Sequence, residues 1–456
     1  MRITPAVAAG HPATAAVGAA ILAAGGTAAD AAAAAGLASC VAETVMTGLL
    51  GGGHAVYFDA AGGVVRNLDC FVSVPSGAGA AMESLRVEFG DELVHYAIGA
   101  ASCAVPGLPA GLEALWRAYG RLPWRDIVEP ALELARAGVP MPKAHASCLA
   151  MLAPVMTMRE GAALYAPHGD LLTEGELLRQ PGLVAALELL RDEGAASVYT
   201  GSIGAALLDL LAARGGAITA DDLASYSAEW RDAQTCRFAG RHIHTRGGLS
   251  GLPELLGRFD PAGGSTALLL ALEQEAPGGG HTTNLTVVDA EGNACVLTSS
   301  LGLGSGDWLP GLDLHLNSML GETDLVREPL RPGSRMASMM APTRAFRAGG
   351  GLELALGAAG GTRLRTALAS VLAAVLHEGL PPQAAIDRAR FHPADGIVNA
   401  EPGVDEEWLS ALEADGRIVR RWPARHHYFG GVSAVGSGGA GADPRRSGAV
   451  ALLDVP

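Results

Sequence analysis

Residues 278–283, with the sequence GGGHTT, combine a flexible turn with a pair of threonines, and this combination could do chemistry. A threonine hydroxyl is a weak nucleophile unless a base takes its proton. If the peptide bond between His281 and Thr282 is cut, Thr282 gains a free α-amine, which titrates at about pH 8 and can accept that proton. The glycines would allow the turn that exposes this bond. The pattern predicts a self-cleaving chain, and the simpler alternative is a loop that leads into a strand.

A second glycine-rich segment could stabilise the charge that such a nucleophile creates. Residues 352–372, LELALGAAGGTRLRTALASVL, predict a strand, a turn and a helix, with Thr362 as the helix N-cap. Gly360 and Gly361 lie in the turn, where backbone N–H groups are unpaired. Such groups can hold the oxyanion of a tetrahedral intermediate, typically worth about 3 kcal/mol per donor. The alternative is that both glycines only permit close packing of the strand and the helix.

Ser300 is expected beside Thr282. It ends the segment NACVLTSS, which predicts the second strand of a hairpin whose first strand is TNLTVVD, directly after Thr282. In an antiparallel pair, the end of the second strand lies opposite the start of the first. The Ser300 hydroxyl could therefore hydrogen-bond to the nucleophile. The glycines that follow Ser300 resemble a phosphate loop in spacing, but they lack a following helix and a lysine, so we do not predict phosphate binding.

The elements that must position these residues are antiparallel hairpins beside blocks of helix. Three further pairs of segments predict hairpins: 54–59 with 64–69, 341–346 with 352–357, and 431–436 with 447–454. Apolar residues at three-to-four spacing predict helices at 107–120, 124–138, 181–194, 201–216, 362–379, 382–391 and 405–416, in addition to two within the first 45 residues. Because no βα units alternate, the pattern indicates a layered α+β fold.

The composition limits the classes of partner. The chain has 456 residues, of which 49% are apolar, so it can bury a large core. Its net charge of −15 repels a phosphate backbone, and we therefore do not expect nucleic acid as a partner. The longest stretch of low polarity, 5–45, is mostly alanine and glycine and contains His11, Asp30 and Glu43, so we expect no membrane span. The first residues lack a compact apolar region after the arginine, which predicts a cytoplasmic protein.

Metal and disulfide chemistry are not indicated. Six cysteines are scattered along the chain without a CxxC pair, and we expect them to be small buried side chains. Two close pairs of histidines, His242 with His244 and His426 with His427, lack a cysteine or carboxylate at ligand spacing. The sequence therefore predicts no metal site, and nothing in it calls for a cofactor.

Several blocks of the chain, in this order, resemble the gamma-glutamyltranspeptidase family of N-terminal-nucleophile hydrolases. The blocks lie at 20–44, 48–59, 101–141, 282–300, 358–372 and 386–393. The resemblance implies a four-layer αββα sandwich, with antiparallel sheets between helix layers. It also implies self-cleavage into a large chain, 1–281, and a small chain, 282–456, which stay together as a heterodimer and form one domain. Thr282 would form an acyl-enzyme with a γ-glutamyl group and pass it to water or to an amine.

The resemblance also assigns roles to individual residues. Gly360 and Gly361 match the oxyanion glycines, and Ser300 matches the hydroxyl residue that supports the nucleophile. Glu322 matches a carboxylate that binds the α-amino group of the substrate. Ser338 matches the first of two serines at the substrate, and Met339 replaces the second.

Other departures affect the recognition of an amino acid's charged ends. Met319 stands where a polar ligand is usual, Gly302 replaces an expected asparagine, and residues 95–107 lack the carboxylate-binding arginine. The segment before Thr282 is also short. A more apolar or smaller acyl group would suit such a site, because a buried carboxylate without its arginine is costly. Arg335, Arg363 or Arg365 could replace the missing arginine.

Three hypotheses therefore remain from the sequence. The first is a self-processing γ-glutamyl hydrolase or transferase. The second is a related amidohydrolase that acts on another small amide. The third is an uncleaved, inactive homologue that serves as a binding module, although the retained Thr282, Ser300, Gly360 and Gly361 speak against it.

Overall fold

The computed structural model describes residues 3–89, 92–273, 282–326 and 329–453. Within these ranges, two large antiparallel sheets carry most of the strands. The strands are, in chain order, β1 (Ala6–Ala9), β2 (Gly52–Asp59), β3 (Val64–Cys70), β4 (Glu83–Phe89), β5 (Glu92–Ile98), β6 (Val139–Pro140), β7 (Leu177–Leu178), β8 (Glu229–Asp232), β9 (Gln234–Phe238), β10 (Arg241–Thr245), β11 (Thr283–Val288), β12 (Ala294–Ser300), β13 (Trp308–Leu309), β14 (Leu314–His315), β15 (Thr343–Phe346), β16 (Leu352–Ala359), β17 (Phe391–Ala394), β18 (Ile397–Ala400), β19 (Ile418–Arg421), β20 (Gly431–Gly436), β21 (Gly439–Ala442) and β22 (Ala449–Leu452).

Most helices lie between the hairpin at 54–69 and the hairpin at 283–300, or after the hairpin at 341–357. They are α1 (Pro12–Ala23), α2 (Ala28–Ala42), α3 (Leu108–Tyr119), α4 (Trp124–Ala137), α5 (Lys143–Met156), α6 (Gly161–Tyr165), α7 (Pro181–Glu193), α8 (Ala196–Tyr199), α9 (Ser202–Arg214), α10 (Ala220–Ser225), α11 (Leu252–Arg258), α12 (Gly264–Leu272), α13 (Arg363–Leu376), α14 (Pro382–Asp387) and α15 (Glu406–Ala414).

The two sheets pack face to face and both draw on distant parts of the chain. The first has the order β22-β1-β11-β12-β2-β3-β8, and the second has the order β21-β20-β16-β15-β10-β9. Small and branched apolar side chains fill the space between them, among them Ala8, Val288, Val296, Ala355 and Val435. Strand β11, which follows Thr282, lies inside the first sheet and packs against β16 and β20 of the second.

Helices cover the outer face of each sheet, which gives the four-layer αββα sandwich predicted from the sequence. Helices α1 and α2 pack on the first sheet, and α13 packs on the second. All fifteen residues of α2 are buried, and Thr27 with Asp30 forms the capping box that starts it. Its alanines and Gly36 bring the helix close to the sheet, because a Cβ at Gly36 would lie 3.0 Å from a methyl group of Leu297. The high alanine content therefore serves close packing.

The last predicted hairpin is wrong in its pairing. Residues 431–436 form β20, but their partner in the second sheet is β21, which follows after only two residues. Strand β22, within the segment predicted as the partner, crosses to the first sheet and pairs with β1, with Ala449 opposite Ala9. The short, glycine-rich β21 carries no alternating apolar pattern that would mark it as a strand in the sequence.

The helix predicted over 382–391 is also too long. Helix α14 ends at Asp387, and the chain is extended again at Arg388. Arg390 explains the early end, because its buried guanidinium pairs with Asp443 at 2.7 Å and its backbone N–H donates to Glu401. These two contacts with other parts of the chain outweigh the local helical pattern.

Residues Ala196–Arg214 form the one apolar stretch among the described residues that has the length and hydropathy of a membrane span. The stretch is divided into α8 and α9 by Thr200 and Gly201. Core helices of water-soluble proteins pass the same test of length and composition, so this stretch is weak support for a membrane segment.

Candidate active site

Thr282 is buried at the point where the chain enters β11, with 5% of its surface exposed. Its hydroxyl oxygen accepts a hydrogen bond of 2.8 Å from the backbone N–H of Gly360. The predicted nucleophile and the first predicted oxyanion donor are therefore in direct contact. His281, the other residue of the predicted cleavage bond, lies outside the described residues, as do the three glycines before it.

The turn between β16 and α13 requires its two glycines. Gly360 has φ 131° and Gly361 has φ 60°, values that favour glycine. A Cβ at Gly360 would lie 2.8 Å from the Cα of Gly430, so the space is filled as well. Thr362 is the N-cap of α13 as predicted, but its backbone is helical and its side chain does not cap the helix. Close approach of the backbone to Thr282, rather than side-chain capping, defines this turn.

Ser300 lies where the hairpin register puts it. Thr283 is opposite Ser299 in the β11–β12 pair, so the next position along β12 reaches the level of Thr282. The Ser300 hydroxyl accepts a hydrogen bond of 2.9 Å from the N–H of Gly302. On its other side Ser300 pairs with Gly52, and a Cβ at the preceding Gly51 would lie 2.2 Å from the Ser300 carbonyl oxygen. The glycine run at 51–53 thus lets β2 lie close to the end of β12.

One pocket gathers most of the predicted site residues. Thr282, Ser300 and Gly361 form its polar wall, and Glu322 and Ser338 add two more polar side chains. Its cavity volume is about 20 Å3, roughly enough for one water molecule and far below that of an ordinary ligand site. The residues that line it are Phe71, Thr282, Ser300, Met319, Glu322, Leu325, Ser338, Met339, Met340, Gly361 and Leu364.

The pocket lies beside the predicted nucleophile, a backbone N–H donor and a buried carboxyl, an arrangement that would suit acyl transfer. A sequence profile described as Gamma-glutamyltranspeptidase matches residues 14–254 and 263–453. The chain belongs to the gamma-glutamyltranspeptidase family.

Relatives of this gamma-glutamyltranspeptidase family member match it over most of their length. An acylase ACY 1 proenzyme from Pseudomonas sp. (strain V22) is 30% identical over 93% of this chain and 88% of its own. A glutathione hydrolase proenzyme 1 from Schizosaccharomyces pombe is 27% identical over 92% of this chain and 79% of its own. The crystal structure of a cephalosporin acylase from Bacillus halodurans superimposes with a TM-score of 0.80 at 22% identity, over 100% of this chain and 97% of that one. This last similarity concerns the fold alone.

Glu322 differs from the other polar groups of this pocket because it is a buried carboxyl with a strongly raised pKa. It is 4% exposed, and its Oε1 atom has no hydrogen-bond partner among the described residues. Burial and, to a smaller extent, the nearby charge of Asp324 raise its pKa to about 8, although a hydrogen bond from the Leu303 backbone acts to lower it. The carboxyl is therefore mostly protonated at neutral pH while the pocket is empty.

Ser338 and the methionines form the opposite part of the pocket. Ser338 accepts a hydrogen bond from the N–H of Met340 at 3.3 Å, and its own carbonyl accepts one from Arg246 at 2.7 Å. Met319 and Met339, the two methionines that the resemblance marked as departures from polar residues, are both buried and both line the pocket. The two methionines therefore lie on the same wall of the pocket, which would contact the acyl group of a substrate.

None of the three arginines considered as replacements lines this pocket among the described residues. Arg335 lies over the Tyr226 ring and faces Asp69 at 3.7 Å. Arg363 donates to the Tyr428 carbonyl and lies over its ring. Arg365 does not appear among the lining residues either. The guanidinium groups of Arg335 and Arg363 thus contact the structure around the pocket.

The sequence analysis missed Glu43, which it treated only as a polar interruption. Its buried carboxyl accepts hydrogen bonds from the hydroxyls of Thr283 and Thr14, the latter at 2.7 Å. Burial raises the pKa of Glu43 to about 7, while both hydroxyls and the charge of Arg446 act to lower it. Glu43 thus anchors the residue directly after the nucleophile. Its place within the 20–44 block that resembles the gamma-glutamyltranspeptidase family is the sequence signal that could have pointed to it.

A second pocket shares Thr282 with the first. It is lined by Glu43, Thr283, His145 and Arg446, with further residues from β20 and the loop before β22. Among the described residues, no group of three or more histidines, cysteines or carboxylates is placed to hold a metal ion.

Proposed function

We propose that this chain is a self-processing amide hydrolase that cuts itself before Thr282 and then forms an acyl-enzyme on the Thr282 hydroxyl. The observation that carries the proposal is the 2.8 Å hydrogen bond from the Gly360 N–H to that hydroxyl, at the edge of a pocket. Family membership supports it, since relatives over nearly the full chain are named proenzymes of an acylase and of a glutathione hydrolase.

The reaction begins with the α-amine that cleavage creates. This amine accepts the hydroxyl proton while Oγ1 of Thr282 attacks the carbonyl carbon of an amide. The carbonyl oxygen becomes an oxyanion, and the N–H groups at Gly360 and Gly361 are the proposed donors to it. The C–N bond of the amide then breaks, and the protonated α-amine returns the proton to the leaving amine. Water or a second amine attacks the resulting ester in the same way and frees Thr282.

The fold supports a stable two-chain product. Strands before position 282, such as β1 and β2, lie on either side of the β11–β12 pair in one sheet. Separation of residues 1–281 from 282–456 would break both of those strand pairings and expose the core between the sheets. We therefore propose that the two fragments remain together as a heterodimer after cleavage.

The default substrates are small γ-glutamyl compounds, in line with the family. A second candidate is another small amide, and the lining of the pocket favours it. Six of the eleven lining side chains are apolar, and no arginine or lysine is among the described ones. Cleavage of either kind of amide would make the chain a hydrolase or transferase that acts on peptide-like amides.

Intact mass measurement tests the proposal. Purified wild-type protein should give two fragments, and the smaller should begin at Thr282. Thr282→Ala should give one uncut chain, while Thr235→Ala, a matched change at an exposed position in β9, should cut normally. A wild-type chain that stays uncut and inactive would support the binding-module hypothesis and contradict this proposal.

A further inference from the structure

Resting on the proposed acyl-enzyme chemistry, we propose that this site selects acyl groups that carry an amine but no carboxylate. A 4-aminobutanoyl group, which is a γ-glutamyl group without its α-carboxylate, is the simplest member of this class. The inference depends on what surrounds Glu322 and on what the pocket lacks.

Glu322 offers an open acceptor to an amine. Among the described residues, its buried Oε1 atom has no hydrogen-bond partner, and the Glu322 side chain lines the same pocket as Thr282. A buried polar atom without a partner costs free energy, which an N–H donor on the substrate would recover. A neutral amine would take the proton of Glu322, whereas an ammonium group would favour the loss of that proton to water, and in both cases an ion pair forms inside the pocket.

Glu322 and Ser318 fill the space beside Gly302 on the neighbouring loop. A Cβ at Gly302 would lie 2.3 Å from Oε1 of Glu322 and 2.7 Å from the Ser318 hydroxyl. With glycine at 302, the site presents the Glu322 carboxyl in this space and no amide.

The described residues that line this pocket supply no cation for a substrate carboxylate. They include one acidic side chain and no basic one, and the remaining large side chains are Phe71, Leu325, Leu364 and methionines. A carboxylate buried against them would lose its hydration without gaining an ion pair.

The guanidinium of Arg246 contacts a lining residue, and it is already hydrogen-bonded to the main chain. Its Nη1 atom donates to the backbone carbonyls of Gly247 at 3.2 Å and Ser338 at 2.7 Å. These contacts hold it against the main chain of the loop that carries Met339. The structure thus favours an amine over a zwitterion as the polar end of the acyl group.

Four p-nitroanilides isolate the two charges. They carry the 4-aminobutanoyl, γ-glutamyl, glutaryl and butanoyl groups, which have respectively the amine alone, both groups, the carboxylate alone and neither. With processed wild-type protein, we expect kcat/KM for the 4-aminobutanoyl anilide to exceed that for the γ-glutamyl anilide at least about tenfold. The glutaryl anilide should be the poorest of the four.

Glu322→Gln provides the matched test of the amine. It should reduce the ratio of kcat/KM for the 4-aminobutanoyl anilide to that for the butanoyl anilide about tenfold or more. Glu291→Gln, an exposed carboxyl paired with Arg121, is the control and should keep the wild-type preference.

The outcomes separate this inference from the proposed function. Cleavage of the γ-glutamyl anilide as fast as the 4-aminobutanoyl anilide would overturn the inference. If Arg246→Gln then lost the cleavage of the γ-glutamyl anilide, Arg246 would be the cation that binds the carboxylate. Equal rates for the 4-aminobutanoyl and butanoyl anilides would also overturn it. If processed protein cleaves none of the four, or if Thr282→Ala cleaves them as well as wild type, the acyl-enzyme proposal itself fails.

Discussion

The hydroxyl oxygen of Thr282 lies 2.8 Å from the backbone nitrogen of Gly360, although 78 positions separate the two residues. Thr282 leads into β11 of the first sheet, and Gly360 follows β16 of the second. Because these two strands pack against each other, the stacking of the sheets brings Thr282, the predicted nucleophile, to the turn at Gly360. The site therefore depends on how the sheets are stacked, and each prediction below changes one group in that arrangement.

Gly360→Ala should damage both stability and activity. The added Cβ would lie 2.8 Å from Gly430, and φ 131° is poorly tolerated by alanine. The turn must shift to relieve this, which moves the N–H away from Thr282, and we expect kcat to fall about a hundredfold or more. Gly439→Ala is the control, because Gly439 has φ 111° with nothing near its Cβ position. Equal loss of activity in both variants would show that backbone strain, rather than the N–H position, is responsible.

Glu322→Gln should make stability less dependent on pH. The pKa of Glu322 is raised to about 8 in the folded chain from 4.5 in the unfolded one, so the folded state holds its proton more tightly. The stability that this contributes is complete below about pH 4.5 and is lost as the pH rises through about 8. We expect the Tm of the variant to rise relative to wild type from about pH 5 to about pH 9. A constant Tm difference over this range would mean that Glu322 is ionised throughout.

Glu43→Ala should destabilise the chain and disturb the nucleophile. It leaves the hydroxyls of Thr283 and Thr14 without their buried acceptor, at a cost on the order of 1–3 kcal/mol for each. Since Thr283 is adjacent to Thr282, we also expect slower amide cleavage. Glu43→Gln keeps an acceptor and should recover much of the lost Tm. Wild-type kcat/KM in Glu43→Ala would show that the anchoring of Thr283 does not position the nucleophile.

Local patterns in the sequence were sufficient for the elements that the site uses most. The β11–β12 hairpin and the glycine turn before α13 each depend on residues close together in the chain. The antiparallel register of this hairpin places Ser300 level with Thr282. The family resemblance supplied the αββα architecture, which local patterns alone did not.

Contacts between distant segments were the part that the sequence could not provide. Strand β22 joins the first sheet because β1 offers an edge to it, and nothing within 447–454 encodes that choice. The bond from Thr283 to Glu43 spans 240 positions, and the packing of Glu322 against Gly302 depends on the path of the loop between them. Such relationships emerge only when the sheets and helices are assembled, because burial decides which polar groups meet.

The most direct test of the central claim is the amino-terminal sequence of the smaller fragment from purified, active protein. The account predicts two fragments that remain associated, a smaller one that begins with Thr282, and activity that disappears in the uncut Thr282→Ala chain. Active protein that consists of a single uncut chain, or of fragments whose new terminus is any residue other than Thr282, would contradict it.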